Sequence, residues 1–273
     1  MIFFGGLNKS RHQDCENSDR RSLELPYNQD AVIEALIKAN PNLIVVNISG
    51  NAVAMPWADK VPAILQAWYL GSMAGHSIAD ILLGEVNPSG KLPMTFPARL
   101  EDNGAHALGA YPGVKREGEN VWDLDYSEGI LVGYRWHDTR KIKPLFAFGH
   151  GLSYTDFTYG KATTDKPIIA AGDSVTVSVE VTNSGKCPGA ETVQLYISDP
   201  KCSVLRPAKE LKGFRKIYLN PGETRTVTFT VGTEDLSYFD SGAHRWIAEP
   251  GKFTAAVGSA SDDIRTSVSF TLK

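Results

Sequence analysis

In five stretches between Ser174 and Leu272 the sequence alternates apolar and polar residues with a period of two, and this alternation restricts the second part of the chain to β-sheet. Successive side chains of a strand point to opposite faces, so Ser174–Val181 sets Val175, Val177, Val179 and Val181 on one face and polar residues on the other. Thr192–Ile197 and Thr224–Val231 repeat the pattern, and Gly251–Val257 and Thr266–Leu272 add two more strands. Asn183-Ser184-Gly185, Asn220-Pro221-Gly222 and Glu249-Pro250-Gly251 punctuate them as turns. Short strands at this spacing predict two sheets packed face to face, with about seven strands in all, over residues 165–273.

The first hundred residues carry a different period. Ile2–Phe4 is a short apolar run stopped by Gly5-Gly6, and Asp30–Ala39 places apolar residues at helical spacing before Asn40-Pro41. Leu43–Ile48 is a continuous β-branched run closed by Ser49-Gly50, as expected of a strand buried on both faces of a parallel sheet. Ala63–Tyr69 is a second such run, and Gly75–Leu83 reads as a helix ending near Gly84. This order predicts an α/β domain with a partial parallel sheet over residues 1–100, followed by an all-β sandwich of immunoglobulin or fibronectin III type. Residues 101–164, rich in Pro, Gly and aromatics, read as an ordered connection.

Composition narrows the function. A net charge of −3 offers no nucleic-acid surface, and there is no apolar run long enough to span a membrane. The opening Met1–Gly6 has neither the basic stretch nor the apolar length of a signal peptide. Cys15, Cys187 and Cys202 are too scattered for a zinc site; a Cys187–Cys202 bridge stays open beside the plainer reading of three free thiols.

The densest polar cluster, His12–Arg21, directly follows the first strand-like run, and ligands of α/β sheets bind beyond the carboxyl ends of strands. A carboxylate there can serve as a general acid when its surroundings raise its pKa. Glu16–Gln29 resembles the E-x-x-D-R-x-x-L-x-L-P-x-x-Q stretch of glycoside hydrolase family 3. Gly84–Pro97 resembles that family's G-x-x-N-P-S-G-K-L-P-x-T-F-P segment, Tyr126–Arg135 its Y-x-E-G-I-x-V-G-Y-R segment, and Pro144–Thr155 its P-L-F-x-F-G-x-G-L-S-Y-T segment.

The resemblance implies the carboxyl-terminal portion of a retaining, exo-acting β-glycosidase acting on β-linked glucoside or xyloside oligosaccharides, with no cofactor and no metal. It places Glu16 at the general acid/base position, with the nucleophile supplied by an N-terminal (β/α)8 barrel. Retaining hydrolysis needs two carboxyls about 5–5.5 Å apart. Only fifteen residues precede Glu16, whereas a barrel takes roughly 250, so the barrel is expected to be missing and the chain alone to be inactive. A non-catalytic carbohydrate-binding or structural module, or a truncated remnant, is the alternative.

Asp19 and Arg20 are expected beside Glu16, as an ion pair fixing its loop or as sugar contacts. Trp122 is the candidate sugar platform, in a loop, whereas Trp68 fits a buried strand. His76 reads as a local hydrogen-bonding residue and Glu128 as a structural brace.

Overall fold

A computed structural model describes residues 1–273. The chain forms two compact units: residues 1–86, 94–125 and 143–146 make the first, and residues 87–93, 126–142 and 147–273 the second. The stretch expected as one connecting region is thus shared between them.

In the first unit, strands β1 (Ile2–Gly6), β2 (Ile44–Ile48) and β3 (Ala63–Gln66) form a parallel sheet in that order, Phe3 opposite Val45 and Val45 opposite Ile64. Neighbours on a strand face opposite ways, yet Val45 and Val46 are both buried, so both faces of the central strand are covered. Helix α1 (Gln29–Ala39) buries Ile33, and α2 (Ala74–Leu83) packs Ile78 against Val46 and Ala67. Trp57, fully buried, donates its indole N–H to Asp30 at 2.7 Å, which ties the loop after β2 to the start of α1. Gly84 closes α2 at φ 80°, the left-handed C-terminal position that glycine occupies at least cost.

The sequence run 63–69 is shorter as a strand than expected. Trp68 lies beyond β3 with φ 53°, and its ring meets Phe96 edge-on at 6.1 Å, so it packs from a loop. Residues 94–125 contribute a short helix, α3 (Gly104–Ala107), and a hairpin of β4 (Val114–Lys115) and β5 (Trp122–Asp123). His76 is exposed at the start of α2.

In the second unit, helix α4 (Tyr134–Arg140) precedes the short strands β6 (Phe157–Tyr159), β7 (Thr163–Thr164) and β8 (Ile168–Ile169). The long strands follow: β9 (Ser174–Asn183), β10 (Gly189–Ser198), β11 (Glu210–Leu219) and β12 (Thr224–Gly232). A turn of helix, α5 (Thr233–Leu236), and a small hairpin, β13 (Tyr238–Asp240) with β14 (Arg245–Ile247), lead to β15 (Gly251–Ala260) and β16 (Asp263–Leu272). One sheet runs β11-β10-β15-β16-β8; the other runs β12-β9-β6 with β7 also on β9. Their inner faces enclose Val175, Val177, Val179 and Val181 with Leu195, Phe229, Phe253 and Phe270.

Two elements differ from expectation. Strand β11 escapes the period-two pattern because it is an edge strand whose Phe214 and Tyr218 face outward, exposed. Helix α4 covers the outer side of β10: Tyr134 meets Tyr196 edge-on at 5.9 Å and stacks on Phe148 at 4.9 Å, and Asp138 pairs with Lys209 at 2.7 Å. The Tyr126–Arg135 and Pro144–Thr155 segments therefore largely serve this layer, and buried Gln194 locks it by donating to the carbonyls of Gly149 and Ser259. Glu128 closes a tight turn through its carbonyl, which accepts from Leu131 at 3.1 Å. All three cysteines are free, so the Cys187–Cys202 bridge left open by the sequence does not form.

Phe253, fully buried and stacked on Phe270 at 5.9 Å, is the test of this core. Phe253→Ala is expected to destabilise the sandwich by about 3–5 kcal/mol, read as a lower urea midpoint with an unchanged slope; a shift below about 1 kcal/mol would contradict the packing described.

Candidate active site

The carboxyl ends of β1, β2 and β3 all open on one side of the first unit's sheet, as parallel strands require, and three loops emerge there. Residues 7–28 follow β1. Gly6, at φ 137°, starts this loop so close to the next strand that a side-chain carbon would meet the Ile48 carbonyl, and only glycine fits. The Gln29 side chain then reaches back, accepting from Gly6 N at 2.8 Å and donating to its carbonyl at 2.9 Å, so the loop leaves and returns at one point.

Asp14 lies inside this loop and fastens it to the other two. Its Oδ2 accepts from Gly50 N at 2.6 Å in the loop after β2 and from Tyr69 Oη at 2.7 Å in the loop after β3. Its Oδ1 accepts from Asn51 Nδ2 at 3.2 Å. Partial burial and the Asp14 bond together push the Tyr69 phenol up to about 12, so it remains a donor at neutral pH.

Arg20 does not pair with Asp19, contrary to one expectation from sequence. Its guanidinium turns inward and donates to the carbonyls of Ala52 at 2.6 Å and Leu23 at 3.0 Å. Burial pulls its pKa down and the charge of Asp14 partly restores it. Neighbouring side chains on an irregular loop diverge, and here Asp19 faces away to accept from Tyr111 Oη. His12 Nδ1 shares a hydrogen bond with Ser18 Oγ at 2.8 Å and lies 3.0 Å from the Asp19 carbonyl.

Glu16 sits at the exposed tip between these anchors, beside Asn17 with φ 61°. The side chains of Asp14 and Asp19 are committed to fixing the loop, whereas that of Glu16 enters no hydrogen bond or ion pair. Trp122, expected in a loop, lies in the β4–β5 hairpin of the same unit and is 48% exposed.

Two clefts lie apart from Glu16. One of about 260 Å³ is formed within the same loop by Leu7, His12, Gln13, Arg20, Glu24 and Pro26, and Glu16 does not line it. One of about 200 Å³ in the second unit is walled by the ion pairs Lys91–Glu191 and Arg265–Asp263.

Comparison with known proteins decides the family. The pattern described as "Glycosyl hydrolase family 3 C-terminal domain" matches residues 1–154, and a "Fibronectin type III-like domain" matches residues 191–261. The chain belongs to glycoside hydrolase family 3. It is 53% identical to a β-glucosidase of Bacteroides ovatus over 99% of its own length and 36% of that protein's, and 45% identical to thermostable β-glucosidase B of Acetivibrio thermocellus over 96% and 34%. Among solved structures, a β-glucosidase from Streptomyces venezuelae in complex with D-glucose aligns with TM-score 0.90 at 39% identity, covering all of this chain and 33% of that one. This family 3 segment thus spans about a third of the length of its relatives.

Sequence reasoning pointed to the loop but missed Asp14, Tyr69 and Tyr111 as its anchors. Tyr69 could have been found, since it directly follows a strand-like run on the side where ligands gather; nothing local marks Tyr111. Asp14→Ala is expected to lower the stability of the first unit by about 1–2 kcal/mol, as loss of a charged acceptor at a half-exposed site, and to speed amide exchange at Gly50. Unchanged exchange at Gly50 would show that Asp14 does not hold the loops together.

Proposed function

We propose that this segment is the carboxyl-terminal portion of a retaining, exo-acting β-glucosidase and that Glu16 is its general acid/base. The observation that carries the reading is the division of the acids at the loop tip, residues 14–19: Asp14 and Asp19 are bonded in place, and Glu16 between them is exposed and unbonded. Its position in the E-x-x-D-R stretch of family 3 agrees with that role. Relatives named as β-glucosidases favour a β-linked glucoside as substrate, with a xyloside as the nearest alternative.

In the first step Glu16, protonated, gives its proton to the glycosidic oxygen as the bond to the anomeric carbon breaks, while a second carboxylate attacks that carbon. In the second step Glu16, now ionised, takes a proton from water as water attacks the glycosyl-enzyme. The attacking carboxylate belongs to a (β/α)8 barrel outside residues 1–273. Arg20 and Asp19 act as positioning residues of the loop, and the exposed part of Trp122 offers a stacking surface to a sugar ring.

Two outcomes are expected. In an enzyme made by placing this chain where the matching third of the Bacteroides ovatus β-glucosidase stands, Glu16→Gln lowers kcat on an alkyl β-glucoside about 10²–10⁴-fold. It lowers kcat/KM, which reports the first step, far less on a dinitrophenyl β-glucoside, whose leaving group needs little protonation; equal losses of kcat/KM on both substrates would refute the assignment. Residues 1–273 purified alone should turn over neither nitrophenyl β-glucoside nor nitrophenyl β-xyloside, since a lone general acid accounts for a small part of an enzymatic acceleration. Clear turnover abolished by Glu16→Gln would place a second catalytic carboxylate within this segment.

A further inference from the structure

The acid loop has a hold on it that comes from far along the chain. Asp14 and Arg20 secure its two shoulders, and both reach only to the loops that follow β2 and β3 and to the loop's own Leu23. The stretch between them, residues 15–19, makes no backbone hydrogen bond to another part of the unit. Asp19, three residues after Glu16, is instead bonded to the phenol of Tyr111, 92 residues later, just before the β4–β5 hairpin. The Tyr111 ring is itself backed edge-on by His106 at 5.3 Å, and the segment folds back on α3, Tyr111 N donating to the Ala105 carbonyl at 3.3 Å. The phenol therefore comes from a braced element.

From this geometry we infer that Tyr111 is a positioning residue for the acid/base step, setting the location of the Glu16 carboxyl by clamping Asp19. The inference rests on the assignment of Glu16 as the acid/base. Removing one hydroxyl leaves Asp14 and Arg20 in place, so the loop stays attached while its tip gains freedom. A proton donor misplaced by about 1 Å can cost up to about 10²-fold in rate, and that loss falls on the step in which the leaving oxygen is protonated. The hydrogen bond to Asp19 raises the phenol's pKa, which keeps the clamp closed at neutral pH. The same braced segment leads directly into the hairpin bearing Trp122, so loop tip and aromatic surface share one support.

Tyr111→Phe tests this in two ways. In residues 1–273 as they stand, backbone order parameters over 15–19 should fall while those in β10 and β15 are unchanged. Unaltered order parameters over 15–19 overturn the clamp whatever Glu16 does. In the assembled enzyme, Tyr111→Phe should lower kcat on the alkyl glucoside about 10–100-fold with KM held within about twofold, and should leave kcat/KM on the dinitrophenyl glucoside nearly intact. It should add nothing further in a Glu16→Gln background, because the clamp acts only through Glu16. Equal losses on both substrates, or additive losses in the double variant, assign Tyr111 a merely structural role and overturn the inference. A null effect of Glu16→Gln itself is a separate result: it removes the acid/base assignment, and the order parameters over 15–19 then decide whether the clamp exists.

Discussion

Three loops at the carboxyl ends of parallel strands have no ladder of backbone hydrogen bonds to align them, so their arrangement depends on side chains that cross from one to another. Asp14 is the side chain that reaches both of the others, with one oxygen shared between Gly50 N and Tyr69 Oη. A carboxylate suits this place because bonds to an ionised acceptor are shorter and stronger than neutral ones, and because two oxygens can serve donors from different directions. Arg20 does the complementary work with a planar fork of donors spent on two carbonyls. The apolar sheet beneath makes the platform rigid, and these few polar contacts convert rigidity into position.

The same loop shows how one type of side chain is assigned opposite tasks by its surroundings. Asp14, Glu16 and Asp19 lie within six residues, yet the first and last accept hydrogen bonds from fixed donors, and Glu16 accepts none. Holding its neighbours and leaving it bare keeps both oxygens of the Glu16 carboxylate open to whatever binds there.

Much of this was legible in the sequence. The β-branched run 43–48 announced a strand covered on both faces, and the valines of 174–181 announced a half-covered one, because hydrophobic period follows burial directly. Strand β11 was not legible, since an edge strand with exposed Phe214 and Tyr218 presents apolar residues to the wrong side. Helix α4 was lost for a different reason: seven residues are too few to establish a period, and its Tyr134 is held by a distant contact with Tyr196 that has no local signature. In the acid loop, order within the motif pointed to Glu16, whereas the bond from Asp19 to Tyr111 spans 92 residues and leaves no trace in either neighbourhood.

The path of the backbone carries a last consequence. It leaves the first unit after residue 86, returns at 94, leaves again after 125, returns at 143 and leaves finally after 146. Neither unit is therefore one uninterrupted stretch of gene. A crossover at any single breakpoint between related genes would give each product a unit drawn from both parents: cut before residue 87, the sandwich comes whole from one parent, but the sheet's unit takes residues 94–125 and 143–146, with the hairpin and Tyr111 among them, from that parent too. No single crossover therefore exchanges one unit and leaves the other wholly of its own parent.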